Sequence, residues 1–488
     1  MTTPLEGLKP IALWNHFSDL NAVPRPSKKE ERVIQFMVDF GKSLGLETMV
    51  DHIGNVIIKK KASSGMESKQ TIVMQSHLDM VHQKNNDTQF DFDTEGIKMI
   101  VEGDWVKAEG TTLGADNGIG VATIMAILAS DEIKHPAIEA LFTIDEETGM
   151  TGALELKGGL LTGTILLNLD TEDDNELTIG CAGGVDITAK GMYREMDIPS
   201  DYKTYKVTVK GLSGGHSGMD IHKGLGNANK IMNRLLLELS NEVNPLVSVI
   251  DGGGLRNAIP RESFCILSLN SNSEQKLKDF VAKFKVIITD EYGSTDSDQT
   301  IELEPHTKAS RAAVPDFLAQ ILRAIYACPN GIYRMSPEID SLVQTSNNVA
   351  RVLLNEGRYE ILCLTRSSVD SEKKDLETAI KSTFELIGAD VSAGGSYPGW
   401  TPKPQAPIIK MMSDTYQRMF NEAPHVNACH AGLECGIIGT NYPDMDMISF
   451  GPNIRGAHSP DEKVQISSVQ KYWKYLMEVL ENIPEKQV

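Results

Sequence analysis

Seven acidic and imidazole side chains in five short segments could together bind two divalent ions. They are His77, Asp79, Asp116, Glu146, Glu147, Asp170 and His458. Most of the segments follow an apolar run of the kind that predicts a buried strand. Two histidines and three carboxylates suffice to ligate a pair of divalent ions, which leaves two carboxylates for orientation and proton transfer. The chemistry that this set favours is metal-assisted attack of water on a carbonyl group.

The residue types suggest how five of these side chains would divide between two ions. A carboxylate can bridge two ions, and Asp116 is central in chain order. Each ion then needs one imidazole and one further carboxylate, which pairs His77 with Asp170 and His458 with Glu147. Two divalent ions about 3.5–4 Å apart bring a bridging water toward a neutral pKa and polarise the carbonyl under attack.

The two remaining carboxylates have roles that follow from their positions. Glu146, beside the water, is the candidate general base, which takes the proton of the water and delivers it to the leaving amine. Asp79 lies two residues after His77 on an extended segment and therefore points the same way. It can accept a hydrogen bond from the imidazole N–H and fix the ring.

Each of these residues has a simpler explanation when it is taken alone. Either histidine would more often be a hydrogen-bonded structural residue, and Asp116 beside a helix start would more often be a cap. Asp170 could belong to a solvated acidic turn, and Glu146 with Glu147 to the surface. Their joint occurrence at successive strand ends favours a common site, because ligands in a doubly wound sheet gather at the carboxyl ends of its strands.

Strands and helices alternate in the elements that must position these residues. Residues 71–76, 140–144, 164–169 and 445–450 are predicted buried strands, and residues 118–130 are a predicted helix of small and apolar residues. This alternation predicts an α/β fold with a mostly parallel sheet and helices on both faces. Ser27 and Glu30 have the spacing of a capping box, which predicts a helix that begins after Ser27 and ends at Gly45.

The middle of the chain has a different pattern. Residues 205–210 alternate polar and apolar side chains, which suits an antiparallel sheet with one solvated face. Residues 266–269 and 361–364 are each followed by a polar turn and a helix, a weak internal repeat. The predicted organisation is a discontinuous catalytic domain, 1–184 and 400–488, and an inserted α+β domain, 185–399, with a doubled strand-helix pattern.

Composition limits the classes of function. The chain has 488 residues, of which 41% are hydrophobic and 23% charged, so a soluble protein of two or more domains is expected. A net charge of −20 disfavours nucleic acid and anionic membranes as partners. No apolar run is long enough to span a membrane, and residues 1–16 lack a secretory signal, so we expect a cytoplasmic protein. The six cysteines are scattered, without a C-x-x-C pair, and are expected to be thiols in a reducing compartment.

Five motifs resemble a known family over nearly the whole chain. H-L-D, L-G-A-D-N-G, D-E-E-T-G, N-L-D-T-E and G-A-H-S-P, in this order, resemble the dizinc peptidase and deacylase family of carboxypeptidase G, acetylornithine deacetylase and carnosinase. This resemblance implies the ligands His77, Asp116, Glu147, Asp170 and His458, with Glu146 as base and Asp79 as orienting residue. It also implies a cis peptide bond after Asp116. Two divalent ions are implied, with Zn²⁺ expected and Co²⁺ or Mn²⁺ as alternatives.

Longer strings, among them G-G-H-S-G, R-N-A-I-P-R and H-A-G-L-E-C-G, resemble one branch of this family. The resemblance implies that the inserted domain acts as a lid whose His216 stabilises the oxyanion. It implies a second set of residues that hold the C-terminal carboxylate of a dipeptide and its surroundings, namely Asn257, Arg366 and Gly432. A guanidinium suits a carboxylate, although an arginine after a strand is more often a surface group. His222 and His430 lie near in sequence and are predicted to be structural.

The function expected from this branch is metal-dependent hydrolysis of unblocked dipeptides, including Xaa-His dipeptides such as β-alanyl-histidine. A tripeptidase or an N-acyl amino acid deacylase of the same fold is the alternative. A non-catalytic binding protein would have lost a ligand or the base, whereas all seven positions are intact. A homodimer is the expected assembly. In relatives with a small lid, the lid histidine comes from a neighbouring subunit, and the doubled insert here could replace that neighbour.

Overall fold

The computed structural model describes residues 4–486, which form two compact units. The first unit comprises the described residues up to Gly180, the segment Trp400–Ala428 and the described residues from Leu433 onward. The second comprises Cys181–Gly399 and Cys429–Gly432. The second unit therefore starts slightly before the predicted insert, 185–399, and also takes a short segment that the prediction left in the catalytic domain. Residues 1–3 and 487–488 of the predicted catalytic domain lie outside the described residues.

An eight-stranded mixed sheet is the centre of the first unit. In spatial order its strands are Glu47–Val50, Val56–Lys60, Ile138–Thr143, Ile72–His77, Ile165–Asn168, Asp446–Ser449, Glu176–Cys181 and His425–Cys429. The four strands from Ile138–Thr143 to Asp446–Ser449 run parallel, and the strands outside them pair antiparallel where their register is defined. The predicted α/β fold is thus confirmed, with the parallel strands in the middle. Their carboxyl ends lie along one edge, where the candidate ligands were predicted.

Helices cover both faces of this sheet, as the sequence predicted. Thr151–Glu155 and Glu434–Asn441 pack on the face that carries Val73 and Leu141. On the other face, Gly120 of the helix Ala115–Ala129 lies so close to the strand that a side chain there would collide with Ser76. That helix is apolar all round and almost wholly buried, which explains its small residues.

The remaining elements of the first unit surround this sheet. The other helices are Ile11–Asn21, Glu31–Ser43, Glu146–Gly149, Pro407–Phe420 and Ile466–Glu481. A four-stranded sheet contains, in spatial order, Ile454–Arg455, Lys463–Gln465, Trp105–Ala108 and Met99–Glu102. It packs with Ile11–Asn21 and Ala115–Ala129 around a second apolar cluster.

The predicted capping box at Ser27 is wrong. The helix begins at Glu31, its N-cap residue is Glu30, and no side chain caps it. The Ser27 hydroxyl instead donates to Asp79 Oδ2 at 2.8 Å, and Glu30 Oε1 accepts from the N–H of Lys28 at 2.8 Å. In a cap the hydroxyl oxygen would accept a backbone N–H, whereas here the hydroxyl donates to a buried carboxylate, a charge-assisted bond that replaces the cap.

The second unit is built on a nine-stranded sheet whose strands pair antiparallel. Along its main path the strands are Thr300–Pro305, Tyr202–Lys210, Ser263–Asn270, Leu246–Gly253, Val343–Asn355, Arg358–Ser367, Gly183–Met192 and Asp390–Tyr397. Gly331–Met335 pairs beside Val343–Asn355. Short strands Glu195–Asp197, Arg311–Ala313, Gly215–His216 and Ala258–Ile259 form two further ribbons.

Four α-helices pack against this sheet around one large apolar cluster. They are Ala228–Val243, Glu274–Tyr292, Pro315–Ala327 and Asp370–Glu385, with 3₁₀ turns at Ile221–Lys223 and Ser271–Ser273. Ser263–Asn270 leads into Glu274–Tyr292 and Arg358–Ser367 leads into Asp370–Glu385, so the doubled strand-helix pattern of the α+β insert is confirmed. Within the strand Tyr202–Lys210, buried and half-buried residues alternate over residues 205–210, the stretch for which the sequence predicted alternation.

The lengths of the apolar helices and the state of the cysteines were also compared with the predictions from sequence. Among residues 4–486, no helix is both long and apolar enough to cross a lipid bilayer. The six cysteines form no disulfide within the described part of the chain, and five of them are buried.

Candidate active site

The predicted ligands of the first unit meet at the carboxyl edge of the parallel strands. His77 is the last residue of Ile72–His77, and Thr143 lies opposite it at the end of the adjacent strand. Glu146 and Glu147 open the short helix Glu146–Gly149 that follows Thr143. Asp170 comes two residues after the strand Ile165–Asn168. The strand ends thus bring these side chains to one place without help from long loops.

Asp116 and His458 reach the same place from less regular backbone. Asp116 lies in the first turn of Ala115–Ala129, where its φ and ψ are not helical, after Gly114 with φ +70°. The peptide bond between Asp116 and Asn117 is cis, as the family resemblance implied. His458 has φ +63° and a side chain that is 58% exposed. The ligand on the open side of the site is therefore this histidine.

The ligand atoms form two triads that share Asp116. His77, Asp116 and Asp170 have one ligand atom each within 4.8 Å of one another, and so do Asp116, Glu147 and His458. His77 Nε2 lies 3.1 Å from Asp116 Oδ1, and His458 Nε2 lies 3.3 Å from Asp116 Oδ2. The two oxygens of one carboxylate thus face two different imidazoles, the arrangement that a bridging ligand requires.

The donor set of the two triads fits divalent cations. Glu147 Oε2 lies 3.0 Å from His458 Nε2, while Glu147 Oε1 is buried without a hydrogen-bond partner. A buried carboxylate oxygen without a partner is costly, and a cation at this position would satisfy it. Imidazole nitrogens and carboxylate oxygens are donors that Zn²⁺ and related divalent ions accept.

The protonation of the cluster follows from the same geometry. Hydrogen bonds with Asp116 and Glu147 raise the pKa of His458 to about 11. Burial opposes protonation of His77, but the nearby carboxylates, Asp170 foremost, raise its pKa well above the ordinary value. Burial, with the charges of Asp116 and Glu147, raises the pKa of Asp170 to about 6. These shifts reflect how closely the imidazoles and carboxylates of the cluster are packed.

Asp79 contacts three residues of the site: His77, Glu146 and Glu147. His77 Nδ1 lies 3.2 Å from the carbonyl oxygen of Asp79 and 3.4 Å from its Oδ1, so this nitrogen donates and Nε2 is left for a metal. Asp79 Oδ1 accepts the N–H of Glu146 at 3.0 Å, and Oδ2 accepts that of Glu147 at 3.3 Å. The predicted orienting residue thus holds the backbone of two more site residues as well as the imidazole.

Glu146 lies among other acids. Burial, together with the charges of Asp170, Glu434 and Glu147, raises the pKa of Glu146 well above that of an ordinary carboxyl. A carboxylate whose pKa is raised accepts a proton more readily than an ordinary one, which suits a general base. Glu146 also has an oxygen within 4.8 Å of ligand atoms of His77 and Glu147, so it is adjacent to both candidate ions.

Four further ionisable residues near the site were not predicted, of which three are buried and Glu172 is partly buried. They are Arg25, Glu172, Glu434 and Glu462. Burial is the first cause of a raised pKa in each acid, which reaches about 8 for Glu172 and about 7 for Glu434 and Glu462. Glu434 Oε2 accepts from Gln75 Nε2 and Thr143 Oγ1, both at 2.7 Å. Glu434 belongs to the string H-A-G-L-E-C-G, and Glu462 lies two residues after the motif G-A-H-S-P, where Gly432 and His458 were the residues assigned. Arg25 carries no local signal.

In the second unit, two backbone N–H groups fix the ring of His216 so that its Nε2–H can donate a hydrogen bond. Its Nδ1 accepts the N–H groups of Gly218 at 3.2 Å and Met219 at 3.0 Å. Burial and the charge of Arg366 lower the pKa of His216, so the ring is neutral at neutral pH. A neutral imidazole that accepts at Nδ1 carries its proton on Nε2. The Nε2–H of His216 is therefore the group available to a ligand.

Arg366 presents a buried guanidinium beside this N–H. The residue is 5% exposed, its Nη1 donates to Tyr397 Oη at 2.9 Å, and its Nη2 lies 3.5 Å from His216 Nε2. Among residues 4–486, no carboxylate lies within ion-pair distance of it. A buried cation without a carboxylate partner fits an anionic ligand, because it would otherwise remain uncompensated.

The other predicted substrate residues lie in loops of the same unit. The carbonyl oxygen of Asn257 accepts the N–H of Ser217, at 2.8 Å, which joins its loop to that of His216. Gly432 belongs to the short segment Cys429–Gly432 of the second unit. His430 Nε2 bonds Ser346 Oγ at 2.8 Å in a buried position, consistent with the predicted structural role, whereas His222 is exposed.

Comparisons with known proteins agree with the geometry. The model of a family described as peptidase family M20/M25/M40 matches residues 73–482. The cytosol non-specific dipeptidase of Escherichia coli (strain K12) is 42% identical over 482 residues, which cover 99% of each chain. The crystal structure of an aminoacylhistidine dipeptidase from Vibrio alginolyticus is similar with a TM-score of 0.94 and 44% identity, over 99% of both chains. An aminopeptidase from Bacillus cereus, at 16% identity and a TM-score of 0.57 over 98% of this chain and 99% of its own, shares the fold alone.

Proposed function

The chain belongs to peptidase family M20/M25/M40 and is a metal-dependent dipeptidase, and from this premise we propose that it cleaves unblocked dipeptides, Xaa-His dipeptides such as β-alanyl-histidine included. The observation that carries the proposal is the pair of ligand triads that share Asp116. The bacterial aminoacylhistidine dipeptidases are the branch that the longer sequence strings resemble, and the Vibrio alginolyticus protein bears that name.

We propose that two ions bind to the two triads. His77 and Asp170 would hold one ion, Glu147 and His458 the other, and Asp116 would bridge them. Bound there, divalent ions supply an activated water and polarise the scissile carbonyl. Zn²⁺ is the proposed metal because the donors are nitrogen and oxygen atoms, which Co²⁺ and Mn²⁺ also accept.

The proposed acid–base residue is Glu146. Its raised pKa suits a group that takes the proton of the attacking water and then gives it to the leaving amine. Its backbone N–H is fixed by Asp79, whose carboxylate also lies beside His77. Removal of a general base costs typically 10²- to 10⁴-fold in rate. Glu146 and Asp79 are accordingly the proposed catalytic pair.

The second unit is proposed to act as a lid that binds the substrate's oxygens. The Nε2–H of His216 and the guanidinium of Arg366 are donors that face each other 3.5 Å apart, and an anionic oxygen would accept from both. We assign the oxyanion to His216, as the family resemblance implies. The C-terminal carboxylate of a dipeptide is assigned to Arg366, with Asn257 and Gly432 near it. Recognition of that carboxylate would distinguish dipeptides from longer peptides.

Two further proposals concern the assembly of the protein and its location in the cell. A homodimer is proposed, since symmetric pairs are the commonest assembly of soluble enzymes. Light scattering on a size-exclusion column distinguishes a dimer from a monomer of 53.5 kDa. Cytoplasmic residence is supported by the absence of disulfides among the described cysteines and by the cytosolic relative in Escherichia coli.

A substrate panel tests the proposed specificity. The purified protein, stripped with a chelator and restored with Zn²⁺, is assayed on β-alanyl-histidine, Gly-Gly, a tripeptide and an N-acetyl amino acid. We expect metal-dependent release of free amino acids from the two dipeptides and little from the other substrates. Cleavage of only the tripeptide or only the N-acetyl compound would refute the dipeptide assignment. Tight binding of metal without turnover of any of them would support a binding protein instead.

A further inference from the structure

We infer that Arg25 and Glu462 are positioning residues. They fix the position of the proposed bridging ligand, Asp116, relative to the two histidine ligands. Both lie outside the predicted catalytic set, and both are almost wholly buried, at 1% and 2% exposure. The inference rests on the proposed two-ion site and concerns how this chain maintains it. Both residues bind the backbone just before Asp116: Glu462 accepts its N–H groups, and Arg25 donates to one of its carbonyl groups.

Glu462 binds four consecutive N–H groups of that loop. Its Oε2 accepts from Leu113 at 2.7 Å and Gly114 at 2.9 Å. Its Oε1 accepts from Ala115 at 2.7 Å and from Asp116 itself at 3.1 Å. Charge-assisted bonds from a carboxylate to backbone N–H groups are among the stronger hydrogen bonds in proteins. Because Glu462 follows His458 by only four residues, these bonds connect the loop of the bridging ligand to the loop of the second imidazole.

Arg25 binds carbonyl groups in two loops, the one that precedes Asp116 and the one that follows His77. Its Nη2 donates to the carbonyl oxygen of Gly114 at 2.6 Å. Its Nη1 donates to the carbonyl oxygens of Leu78 at 3.0 Å and Asp79 at 3.1 Å, directly after His77. The guanidinium is planar and has several donors in a fixed arrangement, so it can hold two strands of backbone at a set distance. Arg25 thus connects the loop of the bridging ligand to the loop of the first imidazole.

Two glycines leave the space that the guanidinium occupies. A Cβ at Gly114 would lie 2.5 Å from Arg25 Nη2, and one at Gly118 would lie 2.6 Å from the same atom. Gly114 also has φ +70°, a region that favours glycine. The glycines on either side of Asp116 therefore serve the placement of Arg25 as well as the turn.

Substitutions at Glu462 and Arg25 should weaken the binding of different ions, because each residue connects Asp116 to the loop of a different histidine ligand. A change at Glu462 releases Asp116 from the His458 loop and should weaken the ion held by His458. A change at Arg25 releases Asp116 from the His77 loop and should weaken the ion held by His77. Residues that orient metal ligands typically contribute 10- to 100-fold to metal affinity, so the losses are measurable.

Calorimetric titration of the metal-free protein with Zn²⁺ tests this asymmetry without relying on activity. The variants His77→Ala and His458→Ala first identify which binding step belongs to which ion. For Glu462→Gln we expect a loss of at least about tenfold in the His458 step, with a smaller change in the other. For Arg25→Lys we expect the reverse, because one ammonium cannot span both carbonyl groups.

A matched control separates positioning from a general loss of stability. Glu139 is a buried carboxylate of the same unit, and its Oε2 accepts the N–H groups of Thr162 at 2.7 Å and Gly163 at 3.0 Å. It lies near the start of the strand Ile138–Thr143, away from the edge that carries the site. Glu139→Gln should lower the thermal midpoint while leaving both zinc steps within about threefold. Glu462→Asp, which keeps the charge but shortens its reach, should give an intermediate loss and replaces Glu462→Gln if that variant does not fold.

The outcomes distinguish this inference from the proposed function. Equal weakening of both steps in Glu462→Gln and in Arg25→Lys, or affinities no different from those of Glu139→Gln, would overturn the positioning roles. Fewer than two zinc ions bound by the unmodified protein would overturn the two-ion site itself. Opposite selectivity of the two variants, with two ions bound by the unmodified protein, is the result that the inference expects.

Discussion

The substitution Asp79→Asn should damage stability and catalysis together, and its effect can be worked out from four contacts. Asp79 Oδ1 faces the N–H of Glu146 and the ring of His77, and Oδ2 faces the N–H of Glu147 and the hydroxyl of Ser27. An asparagine has only one acceptor oxygen. Either orientation of its amide therefore turns an NH₂ group toward one of the two backbone N–H groups.

The expected loss combines a missing bond and an unsatisfied group. A hydrogen bond to a charged acceptor contributes about 1.5–3 kcal/mol, and a buried donor left without a partner costs about 1–3 kcal/mol. Because these contributions overlap, we expect the free energy of unfolding of the first unit to fall by about 3 kcal/mol. Displacement of the Glu146–Glu147 backbone and the His77 ring should reduce kcat/KM by about 10- to 100-fold.

The four tryptophans of the chain provide the stability assay, since Trp14, Trp105, Trp400 and Trp473 all lie in the first unit. Urea unfolding followed by tryptophan fluorescence therefore reports on the unit that carries Asp79. Asp51→Asn is the matched control, because both oxygens of Asp51 accept hydrogen bonds: Oδ1 accepts the N–H groups of Ile53, Gly54 and Asn55 at 2.9–3.0 Å, and Oδ2 accepts from Asn55 Nδ2 at 2.8 Å. An asparagine would keep one acceptor oxygen and turn its NH₂ group toward one of these donors. The control should lose stability but keep its kcat/KM. Equal activity losses in the two variants would refute the reasoning.

Three further predictions concern the base, the carboxylate site and acid stability. Glu146→Gln should lower kcat about 10²- to 10⁴-fold with bound zinc unchanged, and more than a tenth of the original rate would contradict the assignment. Arg366→Met should raise KM for a dipeptide about 10- to 100-fold and hardly affect the corresponding dipeptide amide, whereas equal losses for both would exclude a carboxylate clamp. Burial, with the charges of Arg366 and His216, lowers the pKa of His430 from 6.5 to about 3. Below about pH 6.5 the unfolded chain therefore binds a proton that the folded chain does not, so stability should fall as the pH drops toward about 3, by up to about 1.4 kcal/mol per pH unit. In thermal unfolding followed by circular dichroism, His430→Gln should reduce the dependence of stability on pH. An unchanged pH dependence in this variant would contradict the role of His430.

The strands that position the ligands could be predicted because their sequences carry the signal locally. Residues 71–76 contain the apolar run 72–74 and residues 164–169 the apolar run 165–167, and parallel strands buried on both faces favour such runs. When these strands run parallel, their carboxyl ends lie at the same edge of the sheet. The meeting of His77 and Asp170 at that edge then follows without knowledge of the loops.

The hydrogen bonds that hold the site's loops in place could not be predicted, because they join residues that are distant in sequence. The bonds from Glu462 to the Asp116 loop span about 350 residues, and no pattern near Glu462 indicates them. Ser27 illustrates the opposite error, since its local spacing favoured a helix cap while its hydroxyl bonds Asp79, 52 residues away. Local motifs describe the alternatives open to a side chain, and tertiary packing decides among them.

The measurement that tests the central claim most directly is a titration of the metal-free protein with Zn²⁺ while hydrolysis of β-alanyl-histidine is followed. Two triads that share Asp116 predict no turnover without metal and a plateau at two ions per chain. Full activity in the presence of a strong chelator would contradict metal dependence. A plateau at one ion per chain would contradict the shared carboxylate as the centre of the mechanism.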